Sequence, residues 1–455
     1  MIGLTLERKE FARRRKSLMR QMDENSVAIL FTAPVRMRNR DVEYAFRPDS
    51  DFYYLTGFPE PEAVMVLVPG RPEGEYLLFV RERDLAKEVW NGRRAGLEGA
   101  CADYGADDAF PIGDIDDIVP GLIENRDRVF YAMGVYPEVD QQVMGWVSRV
   151  RSRARAGVSV PGEFVALDQL VHEMRLIKSA GELRLMRRAA EVTAAAHLRA
   201  MQVARPGMTE YQVEAELVHA FMSGGCRASA YAPIVGSGEN GVILHYTENR
   251  DPLRDGDLLL IDAGAEYEYY AADITRTFPV NGRFTSPQRG LYELVLEAQE
   301  AAIAKVRPGN HWNEPHEAAV AVITRGLVDL GLLKGRVPRL VKEEAYKPFY
   351  MHRTGHWLGM DVHDVGDYKV DGEWRVLEPG MTMTVEPGLY VAPGARGVPR
   401  RWWGIGIRIE DDVLVTRDGC EVLTRAVPKT VADIEAVMAS AGAVASERKH
   451  LPREG

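Results

Sequence analysis

Cysteine is scarce in this sequence. The 455-residue chain has three cysteines, Cys101, Cys226 and Cys420, which lie far apart and form no CxxC or CxxxC spacing. A thiolate zinc site needs closely spaced cysteines, and a disulfide framework needs an even set in an oxidising compartment. The sequence therefore argues against both and favours a reducing, cytoplasmic location.

Long apolar runs are also missing. No segment approaches the roughly 18 uninterrupted apolar residues of a membrane helix. The first 16 residues, MIGLTLERKEFARRRK, are basic and lack the apolar core of a signal peptide. We expect neither a membrane span nor a cleaved leader.

Positive charge is in deficit. The chain has 57 Lys and Arg against 67 Asp and Glu, a formal net charge of −10. This balance argues against a nucleic-acid partner and against binding to anionic membranes. Most of the excess carboxylates are expected on the solvated surface, but a few lie in apolar surroundings.

The remaining composition is that of a globular protein, with 46% hydrophobic and 27% charged residues. Its length corresponds to roughly two to three domains. Strand-like and helical segments alternate up to about residue 160, which predicts an N-terminal α/β domain over residues 1–173. A helical stretch with a capping-box spacing at Ser179 and Glu182 begins a second domain, 174–440. We expect residues 441–455 to form a polar tail.

One weak internal repeat divides the second domain. An RPG triplet lies at residues 205–207 and again at 307–309, each time between two helical segments. Three matching residues alone are weak evidence, but the shared helix–RPG–helix context favours two related halves.

Two aspartates stand out in the segment DGDLLLIDAGAEYEYYAADITRTFPV, residues 255–280. Asp262 ends an apolar strand and Asp273 begins the next one. A turn centred on Tyr267 and Glu268 would place the two carboxylates directly opposite each other on one face of a hairpin. Opposed carboxylates repel, so a compensating positive partner is expected.

Two glutamates repeat this arrangement. Glu386 lies in MTVEPGLYV and Glu410 in GIRIEDDVLV, and a long hairpin could bring them together. Histidines supply further candidate ligands, in YMHRTGHWLGMDVHDVG (350–366) and in GENGVILHYTEN: His352, His356, His363 and His245.

Each signal is weak alone, because a strand-end aspartate is more often a turn former. A single histidine is likewise more often part of the core than a ligand. Together, four acids and a glycine-flanked histidine form a hard, oxygen-rich ligand set. Its charge matches two divalent ions, for which Mn²⁺ is the best choice and Co²⁺, Fe²⁺ or Zn²⁺ are alternatives.

At these residues the chain resembles the pita-bread metallopeptidases, and among them the bacterial aminopeptidase P (Xaa-Pro aminopeptidase) family. The matching segments are SGENGVILHYTEN, DGDLLLIDAG, DITRTFPVNGRFT, HWLGMDVHDVG, TVEPGLY, GIRIEDD, FRPDSDFYYLTGFPEPEAV and RDLAKEVWNGRRAG. The resemblance spans residues 6 to 438, approximately. It implies an α/β N-terminal domain for oligomerisation and active-site capping, and an α+β pita-bread catalytic domain with pseudo-twofold halves.

The resemblance also implies a role for each candidate residue. Asp273 and Glu410 would bridge two metal ions, Asp262 would complete one ion, and His356 with Glu386 the other. His245, His352 and His363 would contact the substrate or the intermediate, and Arg408 would support the site from behind. Three further residues would contact the substrate: Trp90 resembles a tryptophan that reaches a neighbouring subunit's site, and Asp41 and Arg155, in weaker local motifs, would do likewise. The assembly implied is a homo-oligomer, a dimer or tetramer.

The implied activity is hydrolysis of the N-terminal bond in peptides with proline at the second position. A hydroxide bridging the two ions would attack the carbonyl before proline, with Glu386 relaying the proton and His363 stabilising the oxyanion.

Three alternatives stay open. A prolidase, restricted to Xaa-Pro dipeptides, would use the same metal ligands, so the ligand motifs do not distinguish it. A creatinase-like non-peptidase or a metal-free binding relative would lack part of the ligand set, whereas this sequence fills all five positions.

Overall fold

The computed structural model describes residues 4–449, with side chains up to residue 440. The chain divides into two compact units, residues 6–175 and the region from residue 176 onward together with the first residues. The last helix contains residues 441–449 of the predicted polar tail, whereas residues 450–455 of that tail lie outside the described residues.

The first unit alternates strands and helices, as predicted. Its helices are α1 (Arg8–Met19), α2 (Ser50–Thr56), α3 (Leu85–Asn91), α4 (Gly96–Tyr104), α5 (Ile115–Ile123), α6 (Pro137–Ser152) and α7 (Asp168–Leu176). Its strands are β1 (Ser26–Phe31), β2 (Met37–Asn39), β3 (Val42–Glu43), β4 (Val64–Leu67), β5 (Tyr76–Val80), β6 (Asp108–Pro111), β7 (Arg128–Tyr131) and β8 (Glu163–Ala166).

Six of these strands form one mixed sheet in the order β6-β5-β4-β1-β7-β8. Strand β4 runs antiparallel to its neighbours β1 and β5, and the remaining pairings are parallel. One face of the sheet packs against α5 and α6, where Val27, Phe79, Val119 and Trp146 belong to a single buried cluster. The apolar strands SVAILF, VMVL and YLLFV are buried in this sheet because their side chains face helices rather than water.

The second unit contains long helices and short antiparallel sheets. Its helices are α8 (Ala180–Val203), α9 (Glu210–Ser223), α10 (Ser286–Ile303), α11 (Glu314–Asp329), α12 (Val337–Lys342) and α13 (Val431–Lys449). Its strands are β9 (Ala228–Ser229), β10 (Ile234–Ser237), β11 (Leu258–Asp262), β12 (Ala265–Tyr267), β13 (Tyr270–Ala271), β14 (Thr275–Pro279), β15 (Lys369–Val370), β16 (Glu373–Trp374), β17 (Thr382–Val385), β18 (Gly388–Val391), β19 (Ile405–Arg408), β20 (Asp411–Val415) and β21 (Cys420–Val422).

The second unit repeats one order of elements twice. Helices α8 and α9 flank the first RPG triplet and precede sheet β10-β11-β14, while α10 and α11 flank the second and precede sheet β17-β20-β21. The predicted capping box is present at the start of α8, where Ser179 and Glu182 bond each other's backbone. The two predicted halves are therefore visible in the element order. Within residues 4–449, no helix is both long and apolar enough to cross a membrane.

The first acid-bearing hairpin has a different register from the one predicted. Its turn is Glu268–Tyr269, both with positive φ, so that Tyr267 pairs with Tyr270 and Asp262 with Thr275. The prediction of directly opposed aspartates is wrong, because the turn lies one residue later than the predicted Tyr267–Glu268 and this shifts the strand pairing by two residues. Asp273 instead lies two residues before the partner of Asp262, which leaves it a diagonal neighbour on the same face.

The second acid-bearing hairpin has the predicted arrangement. Strand β17 pairs with β20 through Val385 and Asp411, and β18 pairs with β19 in the same register through Gly388 and Arg408. Glu386 lies directly after β17 and Glu410 directly before β20, so this register sets the two glutamates opposite each other.

Candidate metal centre

All predicted metal ligands of the second unit line a single cavity of about 700 Å³. The ionisable residues on its wall are Tyr231, Asp262, Asp273, His245, His352, Arg353, His356, His363, Glu386, Arg408 and Glu410. Apolar residues complete the wall, including Ile234, Leu244 and Val362. The structure thus brings the four acids and four histidines singled out in the sequence to one place.

The two aspartates share a tyrosine. The hydroxyl of Tyr231 lies 2.5 Å from Oδ1 of Asp262 and also within hydrogen-bond distance of Oδ1 of Asp273. The diagonal placement of the aspartates makes this possible, because one donor can reach both. Burial and the two negative charges raise the pKa of Tyr231 well above its usual range, which keeps the hydroxyl protonated.

Arg408 supplies the positive partner expected beside the aspartates. Its Nη2 lies 2.5 Å from Oδ2 of Asp262, and its Nη1 donates to the hydroxyl of Tyr390 at 3.0 Å. Its Nε donates to Thr275 Oγ1 at 3.1 Å. Three different partners therefore fix the buried guanidinium behind the acids, as the sequence predicted for a supporting residue.

Glu410 is fixed by the first hairpin. Thr275 donates its hydroxyl proton to Oε2 of Glu410 at 2.6 Å, and the Glu410 amide donates to the Thr275 carbonyl at 3.0 Å. Arg276 donates to the Glu410 carbonyl at 2.6 Å. These contacts join the two acid-bearing hairpins, so that Glu410 is positioned by the opposite half of the unit.

His356 reaches the site because its segment pairs with the edge of β17. The Thr384 amide donates to the His356 carbonyl, and the Glu386 amide donates to the Thr354 carbonyl. Gly355 allows this close approach, because a Cβ there would lie 2.0 Å from the Thr384 carbonyl oxygen. A side chain at residue 355 would thus push His356 away from the acids.

Three predicted ligands form a compact group. Ligand atoms of Asp273, His356 and Glu410 all lie within 4.8 Å of one another. Nε2 of His356 is 3.5 Å from Asp273 Oδ2 and 3.7 Å from Glu386 Oε1. A single cation placed among these atoms would have both nitrogen and oxygen donors.

The electrostatics of the cavity fit a bound divalent cation. Burial, together with the charge of the neighbouring acids, raises the pKa of Glu410 well above its usual range. Burial also raises the pKa of Glu386 to about 7, which the charges of His356 and Arg408 only partly oppose. Arg408 pairs with only one of the four carboxylates, so the ionised forms of the others repel one another. A divalent ion would relieve this repulsion, and the hard donor set suits such an ion.

Two further histidines of the cavity, His352 and His363, have lowered pKa values. Nδ1 of His352 faces the Arg353 carbonyl at 2.7 Å and Nε2 faces the Tyr390 hydroxyl at 2.9 Å. Burial, followed by the charge of Arg408, lowers the pKa of His352 to about 3, so the ring is neutral with its proton on Nδ1. The ring of His363 packs edge-on against the ring of His356, with 4.4 Å between the two ring centroids. Burial lowers the pKa of His363. Both rings are therefore predominantly neutral near pH 7.

The chain matches two protein families along most of its length. Residues 184–417 match Metallopeptidase family M24, and residues 11–131 match the Aminopeptidase P, N-terminal domain. The chain belongs to metallopeptidase family M24. The cavity described above lies wholly within the M24 region, because its lining runs from residue 230 to residue 410.

Individual M24 relatives match along nearly the whole chain. The Xaa-Pro aminopeptidase of Escherichia coli (strain K12) is 49% identical over 437 residues, which are 96% of this chain and 99% of that protein. The structure of Pseudomonas aeruginosa aminopeptidase PepP is 63% identical, with a TM-score of 0.96, and covers 97% of this chain and 100% of that one. Zinc-substituted E. coli aminopeptidase P in complex with product has 49% identity and a TM-score of 0.93, covering 96% and 99%. The predicted family and the two-part fold are confirmed.

Three predicted substrate residues lie in the other unit of this M24 chain. Trp90 is on α3, Asp41 is in the turn between β2 and β3, and Arg155 lies shortly after α6. All three side chains are exposed. None of them lines the described cavity, and their substrate contacts remain a prediction.

Several residues of the M24 site were not found from the sequence. They are Tyr231, which bonds both aspartates, Thr275, which bonds Glu410 and Arg408, and Tyr390, which joins Arg408 to His352. Of these three residues, only Thr275 could have been predicted from the sequence. It lies two residues after Asp273, so in an extended strand its side chain faces the same side as that of Asp273.

Proposed function

We propose that the chain is an Xaa-Pro aminopeptidase that removes the first residue from peptides with proline at the second position. The observation that carries this proposal is the single cavity that contains all five predicted metal ligands together with His245, His352 and His363. Family M24 membership and the 49% identity to an Xaa-Pro aminopeptidase along 96% of the chain support it.

Two divalent ions, with Mn²⁺ preferred, are the proposed cofactors. Five residues would hold them: Asp262, Asp273, His356, Glu386 and Glu410. Such ions, when bound, supply a nucleophilic hydroxide at neutral pH and polarise the attacked carbonyl. Arg408 would hold Asp262 in place through its guanidinium. The Tyr231 hydroxyl, which contacts both Asp262 and Asp273, would hold the two aspartates together.

The residues around the ligands have distinct proposed roles. Glu386 is positioned to accept a proton and pass it to the leaving proline nitrogen, since it lies at the cavity wall and is held by the Thr354 carbonyl and the Thr384 hydroxyl. His363 and His245 would donate hydrogen bonds to substrate oxygens. The four carboxylates of the cavity would attract the free amino terminus of a peptide, which favours an exopeptidase.

The proline ring requires an apolar wall. The bond before proline has no N–H, so its pocket needs shape rather than a hydrogen-bond acceptor. Ile234, Leu244 and Val362 supply apolar lining. Both ring nitrogens of His352 are already engaged, so this ring would offer its face to the substrate rather than a proton.

We also propose a homo-oligomer, with α3 as part of its interface. Leu85, Val89 and Trp90 on this helix are 74%, 83% and 86% exposed, an apolar surface that a lone subunit leaves in water. Sedimentation of Val89→Glu tests the assembly. A smaller particle than the wild type is expected, and an unchanged particle would remove α3 from the interface.

Hydrolysis of defined peptides tests the activity. Chelator-treated protein supplied with Mn²⁺ is expected to cleave Xaa-Pro-Yaa tripeptides and to leave Xaa-Ala-Yaa largely intact. Glu410→Gln should abolish cleavage, whereas Asp418→Asn, at an exposed acid of the same unit, should not. Faster turnover of Xaa-Pro dipeptides than of tripeptides would establish a prolidase. Absence of metal binding would favour the metal-free relatives.

A further inference from the structure

Arg353 lies on the wall of the cavity and is exposed to solvent. Within residues 4–440, whose side chains are described, no carboxylate oxygen lies within 4.0 Å of its guanidinium. Arg408, by contrast, is buried and forms an ion pair with Asp262. The cavity thus holds one cation committed to its own acids and one that is available for a ligand.

An aromatic ring holds the Arg353 side chain in place. The guanidinium carbon lies 4.9 Å from the ring centroid of Trp374, and Nζ of Lys369 lies 4.5 Å from the same centroid. Trp374 is fixed in turn by the β15–β16 hairpin and by its carbonyl, which accepts a hydrogen bond from His311 at 2.8 Å. A cation–π contact uses no N–H donor, so the guanidinium fork stays available for an anion.

The cavity wall carries charges of both signs. Its four carboxylates attract a cation, whereas the exposed Arg353, which shares the Trp374 ring with Lys369, attracts an anion. A peptide also carries charges of both signs, with a positive amino terminus and a carboxylate further along the chain. With the amino terminus at the acids, an extended peptide places each following residue about 3.3 Å further out.

We propose that Arg353, held on Trp374, binds a substrate carboxylate on the carboxyl-terminal side of the proline. This proposal rests on the proposed peptidase function and adds a specificity to it. The carboxylate has two possible sources, the carboxyl terminus of a short peptide and the side chain of an Asp or Glu that follows proline. Either one pairs with the planar fork of a guanidinium, which offers two parallel N–H donors.

Paired peptides distinguish the two sources. The first pair is an Xaa-Pro-Yaa tripeptide and its carboxyl-terminal amide. The second is an amidated pentapeptide with either Glu or Gln after the proline. We expect the wild type to show a KM about threefold to fivefold lower for the charged member of at least one pair, the range for an exposed ion pair. The value of kcat should be equal within each pair, and added salt should reduce the KM difference.

Three variants test the residue itself. Arg353→Gln should remove the KM difference while retaining kcat, Arg353→Lys should keep part of it, and Trp374→Leu should weaken it. Arg401→Gln is the matched control, because Arg401 is also an exposed arginine over a tryptophan, Trp402, and does not line the cavity. A KM difference that survives in Arg353→Gln would overturn the proposal.

A binding measurement separates this proposal from the activity. Calorimetry with the dipeptide Pro-Leu and with its amide requires no turnover. Tighter binding of the free acid by the wild type but not by Arg353→Gln supports the carboxylate site, even if no Xaa-Pro peptide is cleaved. Equal affinity of the two ligands for the wild type, together with equal KM values in both peptide pairs, contradicts it.

Discussion

Arg408 and Asp262 form a buried ion pair across the two halves of the M24 unit, with Nη2 and Oδ2 2.5 Å apart. Removing one partner of such a pair leaves a buried charge uncompensated, which costs about 3–5 kcal/mol. We therefore expect Arg408→Met to lower the melting temperature strongly. The loss should be larger without metal than with Mn²⁺, because a divalent ion also offsets the charge of Asp262.

Thermal melting with and without Mn²⁺ measures this difference. Arg187→Met is the control, because the Arg187–Glu421 pair joins an arginine and a carboxylate by two hydrogen bonds but is about 40% exposed, at 41% and 37%. The Arg187→Met variant should lose less than about 1 kcal/mol of its free energy of unfolding. An equal effect of Mn²⁺ on both variants would show that Arg408 does not share the charge of the metal ligands.

The Tyr231 hydroxyl positions two proposed ligands at once, since it donates to Asp262 and lies close to Asp273. Tyr231→Phe removes only this oxygen. Loss of such an outer hydrogen-bond partner typically lowers metal affinity by about 10- to 100-fold. Competition with a fluorescent chelator should show this loss, while Tyr211→Phe, at an exposed tyrosine, should bind Mn²⁺ normally. A normal Mn²⁺ affinity in Tyr231→Phe would show that the tyrosine contributes packing only and that its hydroxyl does not position the ligands.

Metal binding should release protons. In the metal-free protein the pKa of Glu386 is about 7, raised mainly by burial. The pKa of His356 is about 9, because its bond to Asp273 and the charge of Glu386 outweigh the opposing effect of burial. A metal requires both groups unprotonated, so the apparent affinity must rise with pH through this range. Titration of Mn²⁺ in buffers of different ionisation enthalpy counts the protons, and Glu386→Gln should release fewer. A pH-independent affinity between pH 6 and 8 contradicts the prediction.

The fold was largely predictable because its signals are local. Apolar runs mark β1, β4 and β5, the Ser179–Glu182 spacing marks the start of α8, and the RPG triplets mark the two halves. The turn at Glu268–Tyr269 was misplaced by one residue, since both residues have positive φ although neither is Gly or Asn. Sequence offers no local cue for such a turn.

The site was predictable only in part. Carboxylates within apolar strands stand out, because a buried charge needs a compensating partner. Tyr231 does not stand out among 18 tyrosines, since its function depends on residues 31 and 42 positions away in the chain. The sequence around Arg353 indicates no role for this residue, because only the folded chain places it against Trp374.

A second buried ion pair, Arg276–Asp411, joins the acid-bearing hairpins at 2.7 Å with both side chains fully buried. Arg276→Met should destabilise the protein by about 3 kcal/mol, because it leaves the buried Asp411 with Lys429 as its remaining cationic partner. The double variant with Asp411→Leu should recover part of this loss. Despite burial, Arg276 and Lys429 hold the pKa of Asp411 below its usual value. The stabilisation is thus present above pH of about 3.9 and is lost as pH falls further. Denaturant unfolding at pH 7 and pH 3 checks both points, and a double variant as unstable as the sum of the singles contradicts the pairing.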